Sequence, residues 1–161
     1  MKKKEIRFEY EVYEQSTALN ESDASLLQAA RTLTAKAYAP YSNFLVAAVA
    51  KLHNGETVSG TNQENAAYPV GICAERVLLS SAAMLFTNTP IDTIAISYHN
   101  LNGESNKPVS PCGMCRQALR EYEQRTNNPI RLILSGMSGE VFIIEKANQL
   151  LPFSFGSDDM K

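Results

Sequence analysis

Gly71-Ile72-Cys73-Ala74-Glu75-Arg76 is the stretch from which the rest of the chain can be read, and it has a distant counterpart in Pro111-Cys112-Gly113-Met114-Cys115-Arg116. The 161 residues include three cysteines, and all three lie in these two hexapeptides. Each hexapeptide leads into apolar residues at helical spacing. Val77, Leu78, Ala82 and Leu85 follow the first, and Ala118, Leu119 and Tyr122 follow the second. The spacing predicts helices from Cys73 to about Phe86 and from about Cys112 to Arg125. Pro111 suits the first turn of the second. The three thiols are thereby expected at two helix starts, where the backbone's partial positive charge favours thiolate.

Working outward, Leu45 to Leu52 is a nearly continuous apolar run, which predicts a strand buried on both faces. Asn54-Gly55 is a hairpin turn signal, with Thr57 to Thr61 returning. Ile91 to Tyr98, Ile130 to Leu134 and Val141 to Ile144 read as further strands. Upstream, Ser22 is a candidate N-cap for a helix carrying Leu26, Leu27, Ala30, Leu33, Thr34 and Ala37, ended by Pro40. Residues 5–13 alternate, with Ile6, Phe8, Tyr10 and Val12 on one face. They predict a half-buried strand or an arm added to a sheet edge. Ala147 to Leu151 reads as a short helix. The order of elements predicts one α/β unit, a three-layer αβα sandwich with a mixed sheet of about five strands. Its expected limits are 21–156, with an extension at 1–20 and a flexible tail at 157–161.

Composition narrows the function. The chain is 44% hydrophobic and 20% charged, as in a soluble globular protein. Fifteen basic residues against seventeen acidic ones give a net charge of -2 with no basic stripe, which argues against nucleic acid as partner. No apolar run is long enough to span a bilayer. Charged residues rather than an apolar core follow Met1-Lys2-Lys3-Lys4, so a secretory signal is not expected and a cytoplasmic location is.

A bare C-x-x-C serves a metal, a redox pair, or nothing. Residues i and i+3 at a helix start share a face, so Cys112 and Cys115 can reach one ion, and Cys73 supplies a third thiolate. No fourth cysteine exists. His53, at the hairpin, and His99, at a strand end, lack ligand spacing and read as surface polar groups. Three protein ligands with one open position is the catalytic zinc arrangement. Glu75, two residues after Cys73, suits the proton transfers that hydrolysis at such a site requires. As a first-turn glutamate it would otherwise be a dipole partner only. Arg76 shares a face with Cys73. A cation there offsets the negative charge of three thiolates, whereas an arginine on the outer face would be solvated. Arg116 is a weaker candidate for the same role, or a structural ion-pair partner.

C-A-E-R followed at a distance by P-C-x-x-C-R-Q resembles the cytidine deaminase family, in the all-cysteine branch that acts on free nucleosides. Ala39-Pro40-Tyr41-Ser42-Asn43-Phe44, Asn62-Gln63-Glu64-Asn65, and Leu150-Leu151-Pro152 with Phe155 resemble further motifs of that family, in the same order. The resemblance runs from about Ser22 to Phe155. It implies zinc on Cys73, Cys112 and Cys115, and proton transfer by Glu75. It implies that Asn62 and Glu64 bond the ribose hydroxyls, that Phe44 packs on the pyrimidine, and that the Ala74 N–H meets the base carbonyl. Phe155 would reach the site of a neighbouring subunit in a homotetramer or a dimer. Two departures stand out: Ala47 occupies a position that is usually glycine in the family, and compact members lack the first twenty or so residues.

The expected activity is hydrolytic deamination of cytidine and 2′-deoxycytidine, a small-molecule reaction of pyrimidine salvage. A deaminase of other cytosine compounds such as blasticidin S is the rival within that chemistry. A non-catalytic zinc module closed by a histidine, and a thiol redox protein, are the rivals outside it.

Overall fold

The apolar run at Phe44–Leu52 forms β2, an interior strand of the sheet, in a computed structural model that describes residues 1–161. The run is continuous because both faces are covered. Ala48 and Ala50 pack in one core, and Val49 faces the other. Asn54-Gly55 makes the expected tight turn, with Gly55 at φ +87°, and β3 (Thr57–Thr61) returns antiparallel to β2.

The remaining elements are β1 (Glu11–Tyr13), α1 (Glu21–Leu33), α2 (Ala74–Leu85), β4 (Ile91–Asn100), α3 (Gly113–Thr126), β5 (Arg131–Ser135) and β6 (Val141–Ile144). The sheet order is β1-β6-β5-β4-β2-β3. Only β4 and β5 run parallel, joined through α3; the other pairs are antiparallel. α1 covers one face through Leu27 and Ala30 against Val49, Ala95 and Ile133. α2 and α3 cover the other, with Leu78 and Leu119 fully buried against Ile94 and Leu132. This is the predicted three-layer sandwich with a mixed sheet.

The sheet has six strands rather than about five, because the N-terminal segment adds β1 along β6. Only three residues of the alternating 5–13 stretch pair. Glu11 stands opposite Ile143, and β6 ends at Ile144, so residues 5–9 have no edge left to follow. Ile6, Phe8 and Tyr10 are all exposed, although the Tyr10 ring also lies against Phe142, 4.9 Å away.

The cap of α1 is Asn20, not Ser22: its side-chain oxygen accepts the N–H of Asp23. The helix tightens to a 3-10 turn at Thr34–Lys36 before Pro40. At the tail, Ser157–Met160 form a 3-10 turn, with Gln124 donating to Asp158 at 2.9 Å. Ala47 is fully buried, so its methyl is accommodated inside the sandwich.

One close approach sets the geometry of the site. A Cβ at Gly60 would stand 2.5 Å from the Ala74 carbonyl oxygen and 2.6 Å from the Leu78 nitrogen. Glycine on β3 therefore lets the first turn of α2 lie directly on the sheet.

Candidate metal centre and active site

Cys73 is the N-cap of α2 and Cys112 the N-cap of α3, and neither side chain caps its own helix. Both sulfurs meet each other instead, beside Cys115. Cys115 sits in the first turn of α3, fully buried. The Cys73 and Cys112 sulfurs are 3.8 Å apart, those of Cys112 and Cys115 are 3.4 Å apart, and all three lie within 4.8 Å of one another. Tetrahedral zinc with Zn–S bonds of about 2.3 Å requires sulfur separations of about 3.8 Å. The three thiols fit that ion, and the donor set suits a soft or borderline metal.

These thiols share their protons unevenly. Hydrogen bonding with Cys115 leads the effects that hold the Cys73 thiol down to about 6, against burial and the Glu75 charge; Cys112 and Arg76 act in the same direction as Cys115. Cys115 is pushed far up, first by its bond to Cys73 and then by burial. Arg76 thus assists by charge, and its guanidinium makes no hydrogen bond to sulfur. Arg116 serves differently. Its Nε donates to the Pro111 carbonyl at 2.8 Å and its Nη1 to the Leu150 carbonyl at 3.0 Å. It braces the cysteine loop through carbonyls rather than an ion pair.

Glu75 is 5% exposed, and burial raises its carboxyl above the ordinary range. It lines a cavity of about 180 Å³ together with Cys73, Cys112 and Ala74. Phe44, Val46, Ile96 and Tyr98 form the cavity's sheet wall, and Asn62 stands at its side. The cavity opens beyond the carboxyl-terminal ends of β4 and β5, where ligands bind in open α/β sheets. A larger groove of about 520 Å³ runs past Arg120, Glu123 and Asp158. It has no apolar wall and none of the cysteines, so the chemistry belongs to the smaller cavity.

The fold gathers most of the residues expected at the site, though not all. Cys73, Cys112, Cys115, Glu75, Ala74, Phe44 and Asn62 converge. Asn62 Oδ1 accepts from Val46 N at 2.7 Å and its Nδ2 donates to Phe44 O at 2.9 Å, so Asn62 also fixes the start of β2. Glu64 lies next door, in a recess with Tyr41, Ser42 and Tyr68. Its carboxylate accepts from the Ser42 hydroxyl and from the N–H groups of Tyr41 and Ser42. The Ser42 hydroxyl bond is the main reason its carboxyl lies below the ordinary range. Phe155 is 60% exposed and lies outside the cavity of its own chain.

Neither histidine completes the metal group. His53 lies beside Asp92, 3.8 Å away, and His99 sits in β4 opposite Leu45. Tyr98 and Ser110 line the cavity although the sequence did not single them out. Tyr98 was legible in principle, since it shares the parity of Ile96 on one strand. Ser110 was not, because the path of the loop before Pro111 has no sequence signature.

Three sulfurs able to hold one ion, with a buried carboxylate beside them, fit a metal-dependent hydrolytic site. Residues 20–127 match the model of the cytidine and deoxycytidylate deaminase zinc-binding region. The chain is 34% identical to a cytidine deaminase of Halalkalibacterium halodurans over 124 residues, 77% of this chain and 86% of that one. It is 37% identical to a cytidine deaminase of Mycoplasma genitalium over 100 residues, 62% of this chain and 72% of that one. A crystal structure of cytidine deaminase from Burkholderia pseudomallei superposes with a TM-score of 0.72 at 34% identity, covering 85% of this chain and all of that one. The chain belongs to the cytidine deaminase family.

Proposed function

We propose that this protein hydrolyses cytidine and 2′-deoxycytidine to uridine and 2′-deoxyuridine, releasing ammonia. The observation that carries the reading is a group of three cysteine sulfurs within 4.8 Å of one another, two of which line one small cavity with the buried Glu75. Cys73, Cys112 and Cys115 would hold zinc. A bound zinc ion supplies the Lewis acidity that makes water a nucleophile near neutral pH.

Glu75 handles the protons. Its buried carboxylate takes one from the attacking water and delivers it to ring nitrogen N3 as the bond from oxygen to C4 forms. It then carries the second water proton to the amine as the C4–N bond breaks. One water is consumed and one ammonia leaves, so the atoms balance. A carboxyl raised by burial suits both proton transfers.

The Ala74 N–H, at the first turn of α2, would meet the base carbonyl, and Phe44 would pack on the ring. Asn62 and Glu64 bond the ribose hydroxyls with the hydrogen-bonding capacity left by their loop contacts. Phe155, 60% exposed, supports a reading in which it reaches a neighbouring subunit's site in a homotetramer or a dimer. Residues 21–156 make the deaminase domain, 1–20 an extension and 157–161 a tail. The location consistent with nucleoside salvage is the cytoplasm. No helix is long and apolar enough to cross a membrane.

The test follows loss of cytidine absorbance with and without a strong chelator, alongside zinc analysis. Turnover of cytidine and 2′-deoxycytidine, abolished by the chelator and restored by zinc, is expected. Preference for cytosine or blasticidin S over both nucleosides would overturn the substrate assignment. Mixing Phe155→Ala chains with Glu75→Gln chains, with mass measured by light scattering, tests the assembly. Activity that depends on the mixing ratio is expected, and a monomer with full activity contradicts it.

A further inference from the structure

Two tyrosines of this protein are equally buried, at 4% exposure, and they differ in one respect. Tyr122 donates its hydroxyl to the Thr89 carbonyl at 3.2 Å. The Tyr98 hydroxyl has no partner in the protein. Nor is it sealed in the core, because the single buried side-chain polar atom left without a partner is Oε1 of Gln149. The small surface that Tyr98 keeps belongs to the cavity it lines with Glu75 and Asn62.

The position of Tyr98 is rigidly set. It pairs across the sheet with Val46, on the same face as Phe44 and Ile96. Its ring stacks on Phe44 with centroids 4.7 Å apart and planes 12° apart. The stacking accounts for the ring but not for the hydroxyl, since phenylalanine would stack as well. A buried tyrosine hydroxyl ordinarily finds a partner, because leaving one unpaired away from water is unfavourable. Here that partner has to come from whatever fills the cavity.

We propose that Tyr98 determines substrate specificity, its hydroxyl forming a hydrogen bond with the bound pyrimidine nucleoside while its ring, locked against Phe44, fixes the width of the cavity. This rests on the deaminase reading above. Tyr98 lies along the sheet wall, with Ile96 on one side of it and Phe44 with Asn62 on the other. A nucleoside whose base reaches the cysteines and whose sugar lies by Asn62 passes over it. The partner is therefore an oxygen or nitrogen of the base or sugar, not a phosphate: among the cavity-lining residues no lysine or arginine is present to receive one.

Tyr98→Phe removes the hydroxyl and keeps the stack. The expected result is KM for cytidine raised about tenfold with kcat within about twofold, which corresponds to one hydrogen bond of about 1.4 kcal/mol. Zinc content and Tm should match the unmodified protein. Uridine binding, measured by equilibrium titration of the zinc-loaded protein, should weaken by a similar factor. Tyr98→Ala removes the ring as well, and is expected to improve turnover of 5-methylcytidine relative to cytidine at least tenfold. Unchanged KM and unchanged uridine affinity in Tyr98→Phe would overturn the proposal. So would a loss of affinity that tracks lost zinc or lowered Tm, because that is the signature of a structural residue. An unmodified protein that neither deaminates cytidine nor binds uridine would overturn both this inference and the functional reading. One that does both, with Tyr98→Phe indistinguishable from it, would overturn this inference alone.

Discussion

Cys73 and Cys112 are 39 positions apart in the chain, yet their sulfurs lie 3.8 Å apart, each on the N-cap of its own helix. The two helices pack side by side on one face of the sheet, and that packing forms the metal group. Because each helix holds its thiols rigidly, loss of one should not be repaired by its neighbours. Cys112→Ser is expected to reduce bound zinc from one per chain to a small fraction, measured by metal analysis after dialysis, with deamination at background. Full zinc retention in that variant would contradict the assignment.

Glu75 is expected to separate metal binding from turnover. Glu75→Gln keeps the size of the side chain and removes the titrating group. Turnover should fall by about 10² to 10⁴, the range that general acid–base catalysis supplies. Zinc content should not change. Wild-type activity in a zinc-loaded Glu75→Gln protein would exclude it as the proton carrier.

Gly60 tests the link between the sheet and the site. A methyl at this position meets the Ala74 carbonyl at 2.5 Å, a backbone atom that cannot rotate aside. Gly60→Ala should cost about 1–3 kcal/mol by overpacking, a drop in Tm of about 5 °C. Because the displaced turn carries Cys73, zinc affinity should fall as well. A variant with lowered Tm and unaltered zinc affinity would show that α2 shifts without disturbing the ligands.

Away from the site, Asp23 on α1 accepts two bonds of 2.8 Å from Arg131 on β5. Burial alone would raise the Asp23 carboxyl. The hydrogen bonds and charge of Arg131, with Asn20, outweigh it and hold the group below its ordinary 3.8. A depressed folded value means that the contribution to stability is present above about pH 4 and is lost as pH falls through the folded value. Asp23→Asn should therefore cost about 2 kcal/mol at pH 7, and the difference from the unmodified protein should shrink toward pH 3. Urea unfolding at the two pH values measures it. A difference independent of pH would show that packing, not charge, is what Asp23 supplies.

Much of the fold was legible because its signals are local. The apolar run at 44–52, the Asn54-Gly55 turn and the two helix starts each depend on neighbours in sequence. Residues 5–13 were legible only in part: the strand added to a sheet edge forms at Glu11–Tyr13, but β6 ends too soon for the rest of the alternating stretch to pair. Ser22 and Asn20 are both acceptable caps by type. Only the backbone path chose Asn20, by directing the Asp23 N–H toward it.

The sequence by itself determined the chemistry available: three thiols at two helix starts, a carboxylate two residues from one of them, and a set of motifs that place the chain in its family. Side-chain type and local spacing are enough for that, since ligand identity and helix phase are local properties. The tertiary structure alone decided what those groups meet. It brought α2 and α3 close enough for the sulfurs to share an ion. It placed Glu64 in a recess beside the cavity, bonded to Ser42, and left the Tyr98 hydroxyl open to the cavity while the equally buried Tyr122 found a carbonyl. Each of these depends on contacts between residues far apart in the chain, and such contacts exist only once the sheet and its two helix layers have packed.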